Sequence, residues 1–167
     1  PLEQVKPWNN SGVDGTYRFL NKAWRLFIDN GAMSSNIKKI DPDRSQLQSL
    51  HITINKVTND IESFKFNTAI SSLMEFINGA QKWESIPLDI ARQFILLLSP
   101  FAPHICEEIW EILGKNNTLA FEKWPRFDKN LLIKNNINIA IQINGKLRAN
   151  IQVKREYSEK EIIEVAK

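Results

Sequence analysis

Residues 99–110 have the sequence Ser-Pro-Phe-Ala-Pro-His-Ile-Cys-Glu-Glu-Ile-Trp and follow an apolar run that ends at Leu98. Pro100 cannot donate a helical hydrogen bond, whereas Pro103 suits the first turn of a new helix. After Pro103, apolar residues recur at helical spacing, and Gly114 is expected to end that helix. The apolar face comprises Cys106, Ile109 and Leu113, with Ile105 and Ile112 beside them. We therefore expect two helices that meet at a buried corner.

The composition is that of an ordinary globular protein, with 43% hydrophobic and 25% charged residues in a chain of 167. No apolar run reaches the length that is needed to cross a membrane. The single cysteine, Cys106, lies on an apolar helical face, so we expect a reduced, buried thiol in a cytoplasmic protein. The chain begins at Pro1 and ends inside a predicted helix, and we expect it to be a fragment of a longer protein.

Helical periodicity predicts five helices before residue 126, which together form an antiparallel bundle. Their predicted starts are Ser11, Pro42, Phe66, Pro87 and Pro103. Asp41 and Asn67 are the expected caps of the second and third helices. In the first helix, the expected apolar stripe is Val13, Tyr17, Leu20, Trp24 and Phe27. Trp124, which precedes a proline, is expected to fold back and seal the bundle.

Residues 137–153 change to the alternation of a β-hairpin, with Asn144-Gly145 at the turn. A two-residue loop would pair Ile141 with Arg148 and put the two apolar sets on opposite faces of the hairpin. A three-residue loop with a bulge at the turn glycine pairs Ile141 with Leu147, and this is the register that we predict.

The fold class predicted from these elements is mainly α, with a truncated α+β domain after the bundle. Ser158 and Glu161 form a capping-box pattern, which predicts the start of a last helix. The predicted domains are a helical domain over residues 1–126, a charged linker over 127–136, and the truncated C-terminal domain over 137–167.

Two groups of basic residues are candidates for contact with a polyanion. The first comprises Arg18, Lys22 and Arg25, which share one narrow face of the first helix. The second lies on the hairpin, because the last forty residues carry eight Lys/Arg against five Asp/Glu. The hairpin candidates are Lys146, Arg148, Lys154 and Arg155. Either group could instead be the ordinary charged surface of a soluble domain, and on a hairpin such charges also limit aggregation.

Catalytic motifs are missing from the sequence, which has no phosphate-binding loop, no dinucleotide-binding glycine pattern and no zincin motif. His104 and Glu108 lie one helical turn apart and could form a metal or acid–base pair, but a solvated helix face explains Glu107, Glu108 and Glu111. His51 is expected to be packed or half-exposed rather than a ligand. We therefore predict no catalytic residue, no metal site and no cofactor for this chain.

Five segments in order along the chain resemble the C-terminal part of class I aminoacyl-tRNA synthetases of the bacterial leucyl family. They are the 11–24 segment that begins Ser-Gly-Val-Asp-Gly, Phe-Asn-Thr-Ala-Ile at 66–70, the 99–110 corner, Trp-Pro at 124–125, and Gln-Ile-Asn-Gly-Lys-Leu-Arg at 142–148. The corner alone also fits the valyl and isoleucyl families, which have similar bundles. The hairpin with Asn-Gly-Lys favours the leucyl family.

The resemblance implies that a longer protein attaches leucine to tRNA(Leu) with ATP and Mg²⁺, in a catalytic domain that lies upstream together with an editing domain. It also implies a cytoplasmic monomer. For this chain it implies docking, with the anticodon-binding-type bundle along the tRNA and the small C-terminal domain near the tRNA elbow. The alternatives from the residues themselves are a helical protein-interaction module that binds no RNA, or a metal-dependent hydrolase that uses His104 and Glu108.

Overall fold

The computed structural model describes residues 5, 7, 10–132, 136–143, 146–154 and 157–165. It divides the chain into two compact units, Pro1–Asp128 and Lys129–Lys167. The protein is mostly helical with short β pairs, as the sequence predicts. In the described ranges, no helix is both long enough and apolar enough to span a lipid bilayer.

In the residues that the structure describes, the first unit contains five α-helices and two small pairs of strands. The helices are α1 (Asn10–Phe27), α2 (Arg44–Glu62), α3 (Phe66–Ala80), α4 (Leu88–Leu98) and α5 (Pro103–Ile112). The strands β1 (Ile28–Asp29) and β2 (Ala32–Met33) pair antiparallel, while β3 (Ile37–Lys38) and β4 (Ile86–Pro87) pair in parallel. A 3-10 turn follows at Leu119–Phe121.

All five helices contribute to one hydrophobic core. Its centre is a group of aromatic rings, in which Phe94 stacks on Phe76 at 4.6 Å between centroids and on Phe27 at 5.8 Å. Leu50 and Ile54 of α2 are fully buried in the same core. Each large side chain that is buried in this way contributes about 1.5–3 kcal/mol, so packing rather than helix propensity holds the unit together.

The corner at residues 99–110 has the predicted form. Pro103 occupies the first turn of α5, where its missing N–H costs nothing, and Cys106 and Ile109 are fully buried. Gly114 ends the helical segment with a φ of +82°, a left-handed conformation that glycine adopts without strain. Burial, with a smaller effect from the neighbouring Glu107, raises the pKa of the Cys106 thiol to about 12.

Three local predictions in the first unit are wrong. The cap of α2 is Asp43 and not Asp41, because the Asp43 carboxylate accepts from the Gln46 N–H (2.9 Å) while the Gln46 side chain accepts from the Asp43 N–H. Lys65 stands at the cap position of α3, which has no side-chain cap, so Asn67 does not serve as one. On α1, Val13 and Tyr17 are exposed because the core covers only the later turns of that helix.

The described residues of the second unit form β5 (Asn136–Ile143), β6 (Lys146–Lys154) and α6 (Glu159–Val165), with a short 3-10 turn at its start. β5 and β6 pair antiparallel. The Glu161 carboxylate accepts from the N–H and the hydroxyl of Ser158, which confirms the predicted start of α6. These two hydrogen bonds lower the pKa of Glu161.

The predicted hairpin register is wrong by two residues. Ile141 pairs with Ala149, not with Leu147, and Ile143 pairs with Lys146, which leaves two residues for the turn. The extra residue is therefore Arg148 in β6, and not Gly145, which itself lies outside the described residues. With this bulge Ala149, Ile151 and Val153 pair with the isoleucines at 141, 139 and 137 and share their face, whereas Leu147 pairs with Gln142.

Candidate functional site

Three basic residues lie exposed along α1, as their spacing predicts: Arg18, Lys22 and Arg25. The apolar side of the helix holds them there, because Phe19, Ala23 and Phe27 are buried in the core. A rigid helix thus carries three cations on one solvent-facing strip. Their contact with RNA stays a prediction.

Two of these cations also line a groove between α1 and α3, which we call the α1–α3 groove. Its walls are Gly15, Arg18, Phe19 and Lys22 from α1, and Met74 and Asn78 from α3. It encloses about 270 Å³. The Lys22 ammonium donates to Asn78 Oδ1 at 3.1 Å, and this bond fixes the amine at the edge of the groove. Arg25 lies on the same helix but does not line the groove.

The sequence patterns predict neither Asn78 nor Met74 as a site residue. The available signal was weak: Asn78 is a polar residue near the end of a helix whose neighbours Ile77 and Ala80 are buried. Asparagine is a poor helix former, so its place in α3 is an indication of another role. Its contact with Lys22 joins residues 56 positions apart and appears only in the folded unit.

On the hairpin, the structure describes the side chain of one predicted cation, Arg148, which is exposed at the bulge of β6. Asn150, two residues further along β6, is exposed as well. Lys146 and Lys154 occupy the two ends of β6, but their side chains lie outside the described residues, as does Arg155.

A second groove of the first unit, the α5 groove, contains the pair that suggested metal or acid–base chemistry. His104, Glu108 and Glu111 of α5 line it, together with the loop that contains Lys115 and Asn117, and it encloses about 640 Å³. Within the described ranges, no three His, Cys, Asp or Glu side chains are grouped so that they could hold a metal ion. We find no geometry there that supports a hydrolase.

Glu107 is more than a member of a solvated helix face, and this corrects the sequence interpretation. Its carboxylate accepts from the Thr118 hydroxyl, the Leu119 N–H (2.9 Å) and the Ala120 N–H (3.3 Å). The hydrogen bond from Thr118 and those from the two backbone groups lower the pKa of Glu107. The residue therefore ties the 3-10 turn to α5, which is a structural role.

Trp110 supports the same loop from inside. It is 3% exposed, and its Nε1–H donates to the Asn117 carbonyl at 3.1 Å. The Lys115 ammonium lies 5.5 Å from the centre of the indole ring. The α5 groove is thus lined by groups that already hold the loop in place.

The segment at the end of the first unit folds back on α2, as predicted for Trp124. The indole Nε1–H of Trp124 donates to the Thr58 hydroxyl at 2.9 Å, although 37% of the residue remains exposed. Further along, the Asp128 N–H donates to His51 Nδ1 at 2.8 Å. Burial lowers the pKa of His51, and the charge of Asp128 opposes that shift. His51 is therefore half-buried and acts as a hydrogen-bond acceptor, not as a ligand.

The sequence of the chain matches a known family over most of its length. Residues 43–163 match the family described as the anticodon-binding domain of tRNA ligase. The chain therefore belongs to that family.

Within the family, the chain is similar to leucine–tRNA ligases. It is 45% identical over 167 residues to those of Leptospira biflexa and Borreliella burgdorferi, and 44% identical to that of Borreliella afzelii. The match covers 99–100% of this chain but only 19% of each relative, so the chain spans about a fifth of their length.

A solved structure is similar as well. It is a ternary complex of LeuRS, tRNA and LeuAMS from Agrobacterium radiobacter, which is 30% identical in sequence and has a TM-score of 0.65. The similarity covers 96% of this chain and 22% of that one.

Proposed function

We propose that this chain is the tRNA-binding part of a leucine–tRNA ligase, which docks tRNA(Leu) for aminoacylation in a catalytic domain upstream. The observation that carries the proposal is the 45% identity to leucine–tRNA ligases over the whole chain. The exposed cations of α1 and Arg148 on the hairpin support it, since phosphate contacts of this kind position a nucleic acid on a protein.

The wider properties of the longer protein belong to the same proposal. ATP and Mg²⁺ would bind in the catalytic domain, and the catalytic and editing domains would be partners within the same chain. The longer protein would act as a monomer in the cytoplasm. The domain limits follow the sequence prediction, with a helical domain over 1–126, a linker over 127–136 and the C-terminal domain over 137–167.

The arrangement of the helices is also part of the proposal. We infer that α1 to α5 form an antiparallel bundle of the class I synthetase type. Support comes from the three-residue connection between α2 and α3, which pack against each other, since short connections join antiparallel neighbours.

The test is binding of this chain to tRNA(Leu) and to a tRNA without the long variable arm, across a series of salt concentrations. We expect tighter binding to tRNA(Leu) and a linear fall of log K with log salt concentration. The double variant Lys146→Ala/Arg148→Ala should reduce that slope by about one unit for each phosphate contact that is lost.

A matched control changes the net charge equally in the same unit. Lys129 and Lys160 are exposed, and Lys129→Ala/Lys160→Ala should leave the slope closer to that of the unmodified chain. No binding at low salt would contradict the proposal and favour a helical module without RNA. Equal effects of the two double variants would mean that net charge, and not the hairpin, attracts the tRNA.

A further inference from the structure

The last residues of the helical unit run along α2, and we call residues 124–128 the strap. The Trp124 indole N–H donates to the Thr58 hydroxyl at 2.9 Å, and the Asp128 N–H donates to His51 Nδ1 at 2.8 Å. The two acceptors lie seven residues apart on α2, which is two helical turns and about 10 Å. Four residues of extended chain span about 13 Å, so the strap is long enough to cross both turns. It runs antiparallel to α2.

The middle of the strap is held by apolar contact. Pro125 is buried, and Phe127 is half-buried and packs against the hydrophobic core of the unit. Arg126, between them, is exposed. Pro125 is therefore the stronger of the two apolar anchors, and beyond it the hydrogen bond to His51 helps to keep the backbone on α2.

The acceptors at the two ends of the strap differ in chemistry. The Thr58 hydroxyl has acceptor lone pairs at every pH at which the protein is folded. His51 Nδ1 accepts a hydrogen bond only when the ring is neutral and carries its proton on Nε2. When the ring binds a second proton, Nδ1 becomes a donor and faces the N–H of Asp128. A single proton thus replaces an attractive contact by one between two donors.

The charge that acts on His51 comes from the strap itself. Burial lowers the pKa of His51, and the Asp128 carboxylate raises it. No charged side chain of α3 or α4, the described helices that pack on α2, shifts this pKa. The neighbours of His51 one turn away on α2 do not titrate: Leu47, Gln48, Ile54 and Asn55. The Asp128 carboxylate attracts the protonated ring, but it does not replace the acceptor that the N–H loses.

We propose that the strap is a pH-sensitive device that sets where the chain leaves the helical unit. While His51 is neutral, the chain leaves α2 after Asp128, which is the last residue of that unit. When His51 is protonated, residues 126–128 detach more often and the chain leaves after the buried Pro125. Three freed residues add up to about 10 Å of reach to the connection that follows. The device goes beyond the proposed function, and its tests need no tRNA.

The first test measures amide hydrogen exchange by NMR at pH 7 and pH 5, as protection relative to an unstructured peptide at the same pH. Protection of the Asp128 N–H should fall about fivefold, which is the effect of losing one neutral hydrogen bond. The Trp124 indole N–H is the internal control, because its acceptor does not titrate. Unchanged protection at Asp128, or an equal loss at both ends of the strap, would overturn the proposal.

Two variants assign the effect to His51. His51→Asn keeps an acceptor that does not titrate, so the Asp128 N–H should be protected equally at pH 7 and pH 5. Asp128→Asn keeps the N–H but removes the charge that raises the pKa of His51, so the loss of protection should move to lower pH. A pH-dependent loss that persists in His51→Asn would overturn the role of the histidine.

The second test follows the motion of the chain beyond the strap. A nitroxide label on Lys129→Cys is specific, because the Cys106 thiol is fully buried and has a pKa of about 12. Its spectrum should show faster motion at pH 5 than at pH 7, and equal motion at both when His51→Asn is added. A label on Lys82→Cys, at an exposed position after α3, is the matched control and should not respond. A label at 129 that moves equally at both pH values would overturn the proposal.

Discussion

Two grooves of the helical unit differ in size and in charge. The α1–α3 groove encloses about 270 Å³, and the described residues that line it include two cations and no carboxylate. The α5 groove is larger, at about 640 Å³, but its described lining has three glutamates against one lysine. A polyanion is attracted by the first and repelled by the second, so charge and not volume distinguishes a candidate RNA contact from the space beside a loop.

The largest expected effect tests whether the α5 side supports the fold. Trp110→Ala removes a buried indole and its hydrogen bond to Asn117, and should lower the free energy of unfolding by about 3–5 kcal/mol in urea denaturation. Phe121→Ala is the control, because Phe121 is 89% exposed and should change stability by no more than about 0.5 kcal/mol. A folded Trp110→Ala protein that binds tRNA more weakly than the unmodified chain would contradict the contrast between the two grooves.

The next effect sets the two grooves directly against each other. Arg18→Ala/Lys22→Ala should weaken tRNA(Leu) binding and reduce the salt slope by about one unit for each phosphate contact. Glu108→Ala/Glu111→Ala, in the α5 groove, should bind at least as tightly as the unmodified chain. Filter binding at several salt concentrations measures both. Weaker tRNA binding by the second variant would mean that the α5 groove contacts RNA, and would contradict the contrast between the two grooves.

A smaller effect concerns pH and Glu107. Its pKa in the folded protein is below the ordinary 4.5, so its hydrogen bonds stabilise the fold above that pH and are lost as the pH falls through the lower folded value. The melting temperature of the unmodified chain should therefore exceed that of Glu107→Gln at pH 7, and the difference should shrink at pH 3. A difference of the same size at pH 3 and at pH 7 would contradict this role of the Glu107 carboxylate.

The smallest expected effect concerns His51. The pKa of His51 in the folded protein is lower than 6.5, so just below that pH the unfolded chain binds more protons than the folded chain does. Stability should therefore fall as the pH drops below about 6.5. His51→Asn keeps an acceptor for the Asp128 N–H but does not titrate. Thermal melts at pH 7 and pH 5 should show a loss in the unmodified chain only. An equal loss in both proteins would attribute the pH dependence to other groups.

Local signals in the sequence were sufficient for the corner and for the cationic strip. Pro103 and Gly114 determine where α5 begins and where the helical segment ends, and the spacing of Arg18 and Lys22 places them on one face of a helix. The partner of Lys22 could not be predicted, because Asn78 meets it only through the packing of α1 on α3. The same holds for Glu107, whose partners lie in a loop 11 to 13 residues further along.

The hairpin shows a different limit. For the apolar residues of both strands to share one face, one strand needs an odd number of residues more than a two-residue turn would give. This was predicted correctly. The alternation does not say where the extra residue lies, because a bulge at Gly145 and one at Arg148 both put Ala149, Ile151 and Val153 on the face of the β5 isoleucines and differ in where they place Leu147. In the structure Ile143 pairs with Lys146, which leaves two residues for the turn and makes Arg148 the extra residue.

The buried thiol of Cys106 can report how often the helical unit opens. Only the thiolate reacts quickly with alkylating reagents, and a pKa of about 12 leaves almost none of it at neutral pH while the core is closed. Since the chain has one cysteine, each labelling event records one opening of the corner between α4 and α5. Mass spectrometry of that single modification would follow how often the unit opens, with and without tRNA, and no probe needs to be introduced.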